Sequence, residues 1–162
     1  MQTSYSINQA AAQGGGLYDM GPNDIVSAVD PTEVVPYGVA LCRGVADSEC
    51  KLPSSSGDVA KIIGVSVLSN TNEQALGTSI SNYPMGKDIP LLRKGRMWVK
   101  VEESVTAGSP VFVRFASGAG GSQLGAFRTS ADTASAAQVM GAVFAGSAAT
   151  GGVAIVELNL PA

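Results

Sequence analysis

Residues Gly95–Phe115, GRMWVKVEESVTAGSPVFVRF, decide the fold class. In the first half, side chains alternate across a pleated backbone. This sets Met97, Val99 and Val101 on one face and Arg96, Trp98, Lys100 and Glu102 on the other. The apolar face belongs to a core. The glycine of TAGSP is free to take positive φ, and Pro110 opens the next run, where a missing N–H costs a strand least. Val111 and Val113 then face one way, Phe112 and Arg114 the other. The stretch predicts a β-hairpin over Arg96–Phe115 that turns at Thr106–Ser109.

The same grammar continues outward in both directions. Upstream lie VVPYGVALC, the turn-rich PSSSGD, VAKIIGVSVLS, SNYPMG and DIPLLR. Downstream come the loop SGAGGS, then QLGAFR, AAQVMGAVFA, the loop GSAATGG and VAIVELNL. Short β-type runs between turn signals predict an all-β protein with a compact β-barrel or sandwich-like body over residues 34–162. SADTASAA, from Ser130, has a capping residue and helix formers, and predicts one or two helical turns. VALC and ECKL predict a second hairpin that would bring Cys42 and Cys50 near each other. No period of roughly 20 to 50 residues recurs, which excludes solenoids and propellers.

Residues 1–33 read differently, as an extended N-terminal arm. The first 42 residues hold Asp19, Asp24, Asp30 and Glu33 but no lysine or arginine, and Gly14–Gly16 weaken any regular element. With so little apolar area, Met1 to about Asp30 is expected to gain order from whatever it lies upon, chiefly neighbouring subunits. Opposite in sign are Lys87, Arg93, Lys94, Arg96 and Lys100, among which Asp88 is the only acid. Complementary charge of this kind registers an arm against its own body or against a neighbour; a basic strand edge that discourages aggregation gives the same pattern.

Bulk composition narrows the function classes. The chain has 162 residues, a net charge of −3 and only 14% charged residues, against roughly 25% in an ordinary soluble domain. Weakly charged surface of that kind suits contact with other protein, and the acidic balance argues against nucleic acid. No run approaches the roughly 18 apolar residues of a membrane span, and MQTSYSINQ lacks the pattern of a secretory signal, so synthesis in the cytoplasm is expected. Two cysteines are too few for a disulfide framework, and thiols are the default.

Catalytic machinery is hard to find. The chain has no histidine, which removes Ser-His-Asp and Cys-His arrangements. Glu102 and Glu103 are neighbours on a strand and should point to opposite faces, so they are expected to be solvated or paired rather than to flank a bond together. GLYDMGPN offers Pro22 and Asn23 where a phosphate loop needs lysine and serine or threonine. GAGGSQLG has Gln123 where a dinucleotide loop needs glycine, and reads as a hairpin loop. No cofactor, metal or small-molecule substrate is expected. An enzyme would need acids from distant strands gathered in one cleft. Trp98, the only tryptophan, suits a sugar-stacking platform or a subunit contact.

Several phrases fall in a fixed order: GLYDMGPNDIVSAV, VVPYGVALCRG, KIIGVSVLS, GRMWVKVEESVTAGSPVFVRF and GGVAIVELNL. Together, from about Gly16 to Leu160, they resemble the structural cement, or decoration, proteins of tailed-bacteriophage heads. The alanine- and glycine-rich prefix before Leu17 departs from that pattern. The resemblance implies an arm leading into a β-barrel-like body on the outer capsid surface, bridging major capsid protein subunits and stabilising the shell. It implies the virion as location and, as partners, the major capsid protein and other copies of the chain, a trimer before a dimer. Nucleic acid and membrane are not implied as partners. Protein contact is then expected at Leu17, Tyr18, Asp19, Asp24, Ile25, Val26, Lys87, Arg93, Lys94, Arg96, Trp98 and Lys100. The competing reading is a head-surface carbohydrate- or host-binding module.

Overall fold

The computed structural model describes residues 13–69 and 82–161. Eleven strands and one helical turn follow in chain order. They are β1 (Asp24–Val29), β2 (Val35–Pro36), β3 (Ala40–Arg43), β4 (Cys50–Lys51), α1 (Ser56–Val59), β5 (Ile62–Ser66) and β6 (Asn82–Tyr83). The long β7 (Asp88–Lys100), then β8 (Pro110–Arg114), β9 (Phe127–Arg128), β10 (Ala136–Phe144) and β11 (Val153–Asn159) complete the chain. The main sheet runs β4-β3-β5-β7-β11-β10-β8-β9, with β1 also on β7, and β2-β6 forms a separate ribbon. The protein is nearly all β, as the alternating runs predict, and its sheet curls into a half-barrel.

The curl brings distant parts of the sheet together. Ala40 N donates to Gly125 O at 2.9 Å, and Glu102 N to Phe127 O at 3.0 Å, so the β9 end is tied back to β3 and to the end of β7. The inner face holds one core, including Val65, Leu92, Met97, Val99, Val111, Val113, Phe144 and Val156. PSSSGD contains the helical turn α1, capped by Ser55 Oγ accepting from Asp58 N at 3.2 Å, and its Val59 joins this core. A second core lies on the other side of the sheet, where Val35, Tyr37, Leu41, Cys50, Tyr83, Ile89 and Leu91 are covered by β1 and the β2-β6 ribbon. β3 feeds both, Ala40 and Cys42 entering the first core and Leu41 the second.

One strand serves both cores because it changes face. In the first part of β7, Ile89 and Leu91 face the second core and Leu92 the first; beyond Gly95, Met97 and Val99 face the first. A regular strand cannot turn both Leu92 and Met97 inward, since they differ in parity. The irregularity sits between them. Gly95 has φ 130°, and the register against β1 slips from Asp24 opposite Lys94 to Ile25 opposite Leu92. A bulge whose extra residue is Arg93, with Gly95 two residues beyond it, supplies the swap. DIPLLR and RMWVKVEE are therefore one strand rather than two.

The predicted hairpin requires correction. Ser109 N donates to Thr106 O at 3.0 Å, so the turn is where TAGSP places it, but the strands it joins are not neighbours. β7 pairs with β11 from Lys94 to Lys100, and β8 pairs with β10 and β9. Closing the half-barrel puts β11 and β10 between them, a long-range pairing no local signal encodes. The predicted helix at Ser130 is also absent. Asp132, Thr133 and Ala134 take φ of 44°, 55° and 66°, a left-handed turn in which Ser135 N donates to Ala131 O, and Ala136 and Ala137 belong to β10. GAGGSQLG does lie in the connection of the β8-β9 hairpin.

VALC and ECKL form the predicted hairpin, β3 with β4. Its register sets Cys42 opposite Lys51 and Cys50 opposite Arg43, so the two thiols point to opposite faces and enter different cores. Both are free and buried.

Candidate functional site

Residues 13–29 wrap β7. Gly15 N donates to Trp98 O at 2.7 Å, Trp98 N to Gly16 O at 2.8 Å and Tyr18 N to Arg96 O at 3.0 Å, with Leu17 opposite Met97. Because β11 pairs with the same residues of β7, this strap lies on the other edge. Further along, β1 pairs with Asp88 to Lys94 while β5 pairs with Leu91 and Leu92, so there too β7 is flanked on both sides. Lys94 is the register partner of both Asp24 and Asn159, and the two partners of one residue lie on opposite edges, so β1 continues along the strap's edge. Residues 19–23 link the strap to β1 along that edge and pass Gly95, where an added Cβ would collide with the Asn23 side chain.

The expectation that this segment takes its order mainly from neighbouring subunits is thus corrected for residues 13–30, which are bonded to their own body. Beyond the ladders, Asp30 is buried and its Oδ1 accepts from Thr32 N at 2.9 Å and Glu33 N at 3.0 Å. The part through residue 12 lies outside the described residues.

Most of the predicted contact residues gather on or beside this strap. Asp24 accepts from Arg93 Nε at 2.8 Å, an arm-to-body ion pair of the kind the charge pattern suggests. The Tyr18 ring meets Trp98 edge to face, with centroids 5.5 Å apart. Arg96 donates from Nε to Glu157 at 2.7 Å, a half-exposed pair whose hydrogen bond holds the guanidinium charge more firmly. Leu17, Tyr18 and Ile25 are exposed, Met20 wholly so. Asp19, Lys94 and Lys100 are exposed as well, Asp19 accepting from Gly21 N at 3.0 Å. Val26 instead packs against the second core, and Lys87 lies apart in the turn before β7, where its N–H donates to Pro84 O.

A charged cluster that sequence reasoning missed lies at the β8-β9 end. Arg114, which alternation placed on an outer face, has a side chain 0% exposed, and that of Arg128 is 5% exposed. Arg114 Nε donates to both Glu102 oxygens at 2.8 and 2.9 Å, and its Nη2 to Asp132 at 2.6 Å. Arg128 reaches Glu102 at 3.3 Å, Glu103 at 3.2 Å and Asp132 at 3.1 Å. Glu102 and Glu103 are paired with basic neighbours as expected, but they converge on one arginine instead of diverging, because β7 ends at Lys100 and the chain bends.

The electrostatics of the cluster follow from these contacts. The Arg114 hydrogen bond, the Gly120 N–H and the nearby Arg128 hold the Asp132 carboxyl below its ordinary range. For Glu103, burial pushes upward, but the Thr129 N–H, Ser130 and Arg128 outweigh it and the pKa falls. Gly118, Gly120 and Gly121 close over the cluster, where any Cβ would meet Asp132, Arg128 or Glu102. The only sequence signal was two arginines inside apolar strands, VFVRF and GAFR.

A cavity of about 610 Å³ lies beside this cluster, bounded by Pro36–Val39, Lys100–Glu102 and Gly120–Gln123. Its lining is largely backbone and apolar atoms. Among the described residues, no three His, Cys, Asp or Glu side chains stand close enough to hold a metal ion, and no helix is long and apolar enough to cross a membrane.

A strapped half-barrel that exposes aromatic and methionine side chains beside charged ones has the surface of a contact-making protein. The chain belongs to the phage structural cement protein family: the model described as "Structural cement protein (E217 gp24/Pam3 gp6)" matches residues 1–159. Its role is accordingly structural, stabilising a bacteriophage capsid as part of the virion. A chain of the solved capsid of Myoviridae phage XM1 is similar in fold, with a TM-score of 0.69 over 98% of this chain and 97% of that one, at 15% identity. No curated protein sequence matches.

Proposed function

We propose that the protein sits on the outer surface of the phage head and bridges major capsid protein subunits, copies of it associating as a trimer in preference to a dimer. The observation that carries this reading is the exposed surface along the strap and β7, where Leu17, Tyr18, Met20 and Ile25 lie beside Arg93, Lys94, Arg96, Trp98 and Lys100. Aromatic, methionine and arginine side chains are those enriched in protein interfaces. Trp98 is half-buried and engaged edge to face by Tyr18 rather than standing free as a platform, which favours protein contact over carbohydrate binding. In this reading residues 1–33 are the contact arm and residues 34–162 the brace. Exposed Asp19 and Lys87 and the half-buried Asp24 supply the charged rim of this surface, and Val26 supports it from beneath.

Reconstruction of wild-type particles tests the placement: density for this chain over seams between capsid subunits is expected, and density on the inner wall or at the tail would overturn it. Shells assembled without the protein should lose integrity at a lower temperature than decorated shells. A variant carrying Lys94→Glu and Lys100→Glu, both exposed and outside the ion pairs, should decorate poorly while keeping its own thermal midpoint, and equal decoration would remove this surface from the contact.

A further inference from the structure

The three consecutive glycines have a specific seat. Gly15 donates to Trp98 O on one side and accepts from Leu68 N, at 2.7 Å, on the other, so the strap is a strand inserted between β7 and the segment that follows β5. The seat is too narrow for side chains. A Cβ on Gly15 would crowd Gly38 N, Leu68 N and Tyr37, and one on Gly38 would crowd Gly14 and Gly15 in return. Both glycines have positive φ, 91° and 71°. Gly14 in turn passes over the Lys100 backbone. The slot thus requires glycine where Gly15 sits, and beyond it the strap pairs with β7 through Leu17 opposite Met97 and Tyr18 on Arg96.

We propose that this slot is a strand-acceptor site whose ligand in trans is the Gln13–Tyr18 segment of a second copy of the chain, so that neighbouring copies link by exchanging straps. Every hydrogen bond made in cis is remade in trans, so exchange changes little free energy and is governed by proximity and by the connecting segment. That segment is Asp19–Asn23, which contains Gly21, Pro22 and the fully exposed Met20, and it holds few contacts. Fully extended, five residues span roughly 17 Å, so the donor's β1 must lie within about that distance of the acceptor slot. The proposal rests on the capsid reading only in that a lattice holds copies side by side; failure of exchange would leave attachment to capsid subunits intact.

Two measurements on the full-length chain test it. In the first, Gly15→Val evicts the strap, and a fluorescein-labelled peptide of residues Gln13–Gly21 is titrated by anisotropy. Saturable binding is expected, at least tenfold tighter than to the wild-type chain, whose own strap competes. A peptide with valine in place of its central glycine, or an acceptor also carrying Gly38→Val, should not bind. Equal binding of both peptides would overturn the proposal. The second covers the case in which Gly15→Val does not fold. Tyr18→Cys and Arg96→Cys, cross-strand neighbours, are placed on separate chains, mixed at high concentration and mildly oxidised. A disulfide between two chains supports exchange. Its absence, when one chain carrying both substitutions closes its internal bond readily, would overturn it.

Discussion

At Arg114 a fully buried cation is held between two largely buried carboxylates, Glu102 and Asp132, and the cost of disturbing it is correspondingly large. Arg114→Leu leaves Glu102 and Asp132 without their main partner, and a loss of about 3–5 kcal/mol in urea unfolding is expected. Arg96→Leu removes a half-exposed pair with Glu157, screened by solvent, and should cost little by comparison. The pH dependence has a definite sign. Asp132 and Glu103 are lowered in the folded state, and Asp58 falls from 3.8 to about 2, because the Ser54 and Lys51 bonds outweigh burial. A depressed carboxyl contributes stability that is present above its ordinary pKa and lost as pH falls through the folded value. The urea midpoint should therefore be flat above about pH 5 and decline below about pH 4, with a shallower decline in Asp132→Asn. The thiols behave oppositely. Burial pushes Cys42 to about 11 and Cys50 to about 12, so alkylation of the native protein at neutral pH should be about a hundredfold slower than in urea. Comparable rates would mean that the thiols are not held in the cores. Their freedom was legible in the sequence; the burial of Arg114 was not, because alternation assigns a side chain to a face without saying that the far face is covered too.

Strands were easier to read than the ladders that join them. The alternation in RMWVKVEE placed Met97, Val99 and Val101 correctly, since period 2 is a property of the backbone itself. The partner of β7 was not legible, because β11 lies more than fifty residues away and curl, rather than turn chemistry, chooses it. Residues 132–134 show the same limit from the other side. Thr and Ala carry no signal for left-handed backbone, which costs each of them roughly 1–2 kcal/mol; the bonds from Ser135 and Ala136 N–H to Ala131 O and the grip of Arg114 and Arg128 on Asp132 hold the turn. Gly95 is the position at which the β7 element is most exposed to mutation. Gly95→Ala must adopt φ near 130° and displace Asn23, so β7 just beyond its bulge is strained together with the segment that links the strap to β1. A loss of roughly 1–3 kcal/mol is expected, with hydrogen exchange rising in β1 and at Gly15–Tyr18. Exchange rising only near the substitution would show that the strap does not depend on this link.

For the molecule as a whole, two thin cores on either side of one curled sheet explain how a chain with 6% aromatic residues and 20 glycines makes a brace. Rigidity comes from β7, which is paired along both edges by β11, β1, β5 and the strap. A rigid body with a weakly charged surface suits mass action on a shell. A ligand that binds the assembled lattice but not its dissociated parts stabilises assembly by its binding free energy, and repeated copies add over the lattice. Charge then governs arrival more than retention. On the proposed contact surface the exposed cations Lys87, Lys94 and Lys100 would act over a distance of roughly 8 Å at physiological salt, whereas apolar contacts through Leu17, Tyr18, Met20 and Ile25 would not be screened. Decoration followed by light scattering should therefore slow severalfold between low and high salt, while particles already decorated keep their copies after the same shift. Loss of bound copies on raising salt would mean that ion pairs, and not buried apolar area, hold the protein on the head, and the contact surface would then have to be sought among its charged rather than its apolar side chains.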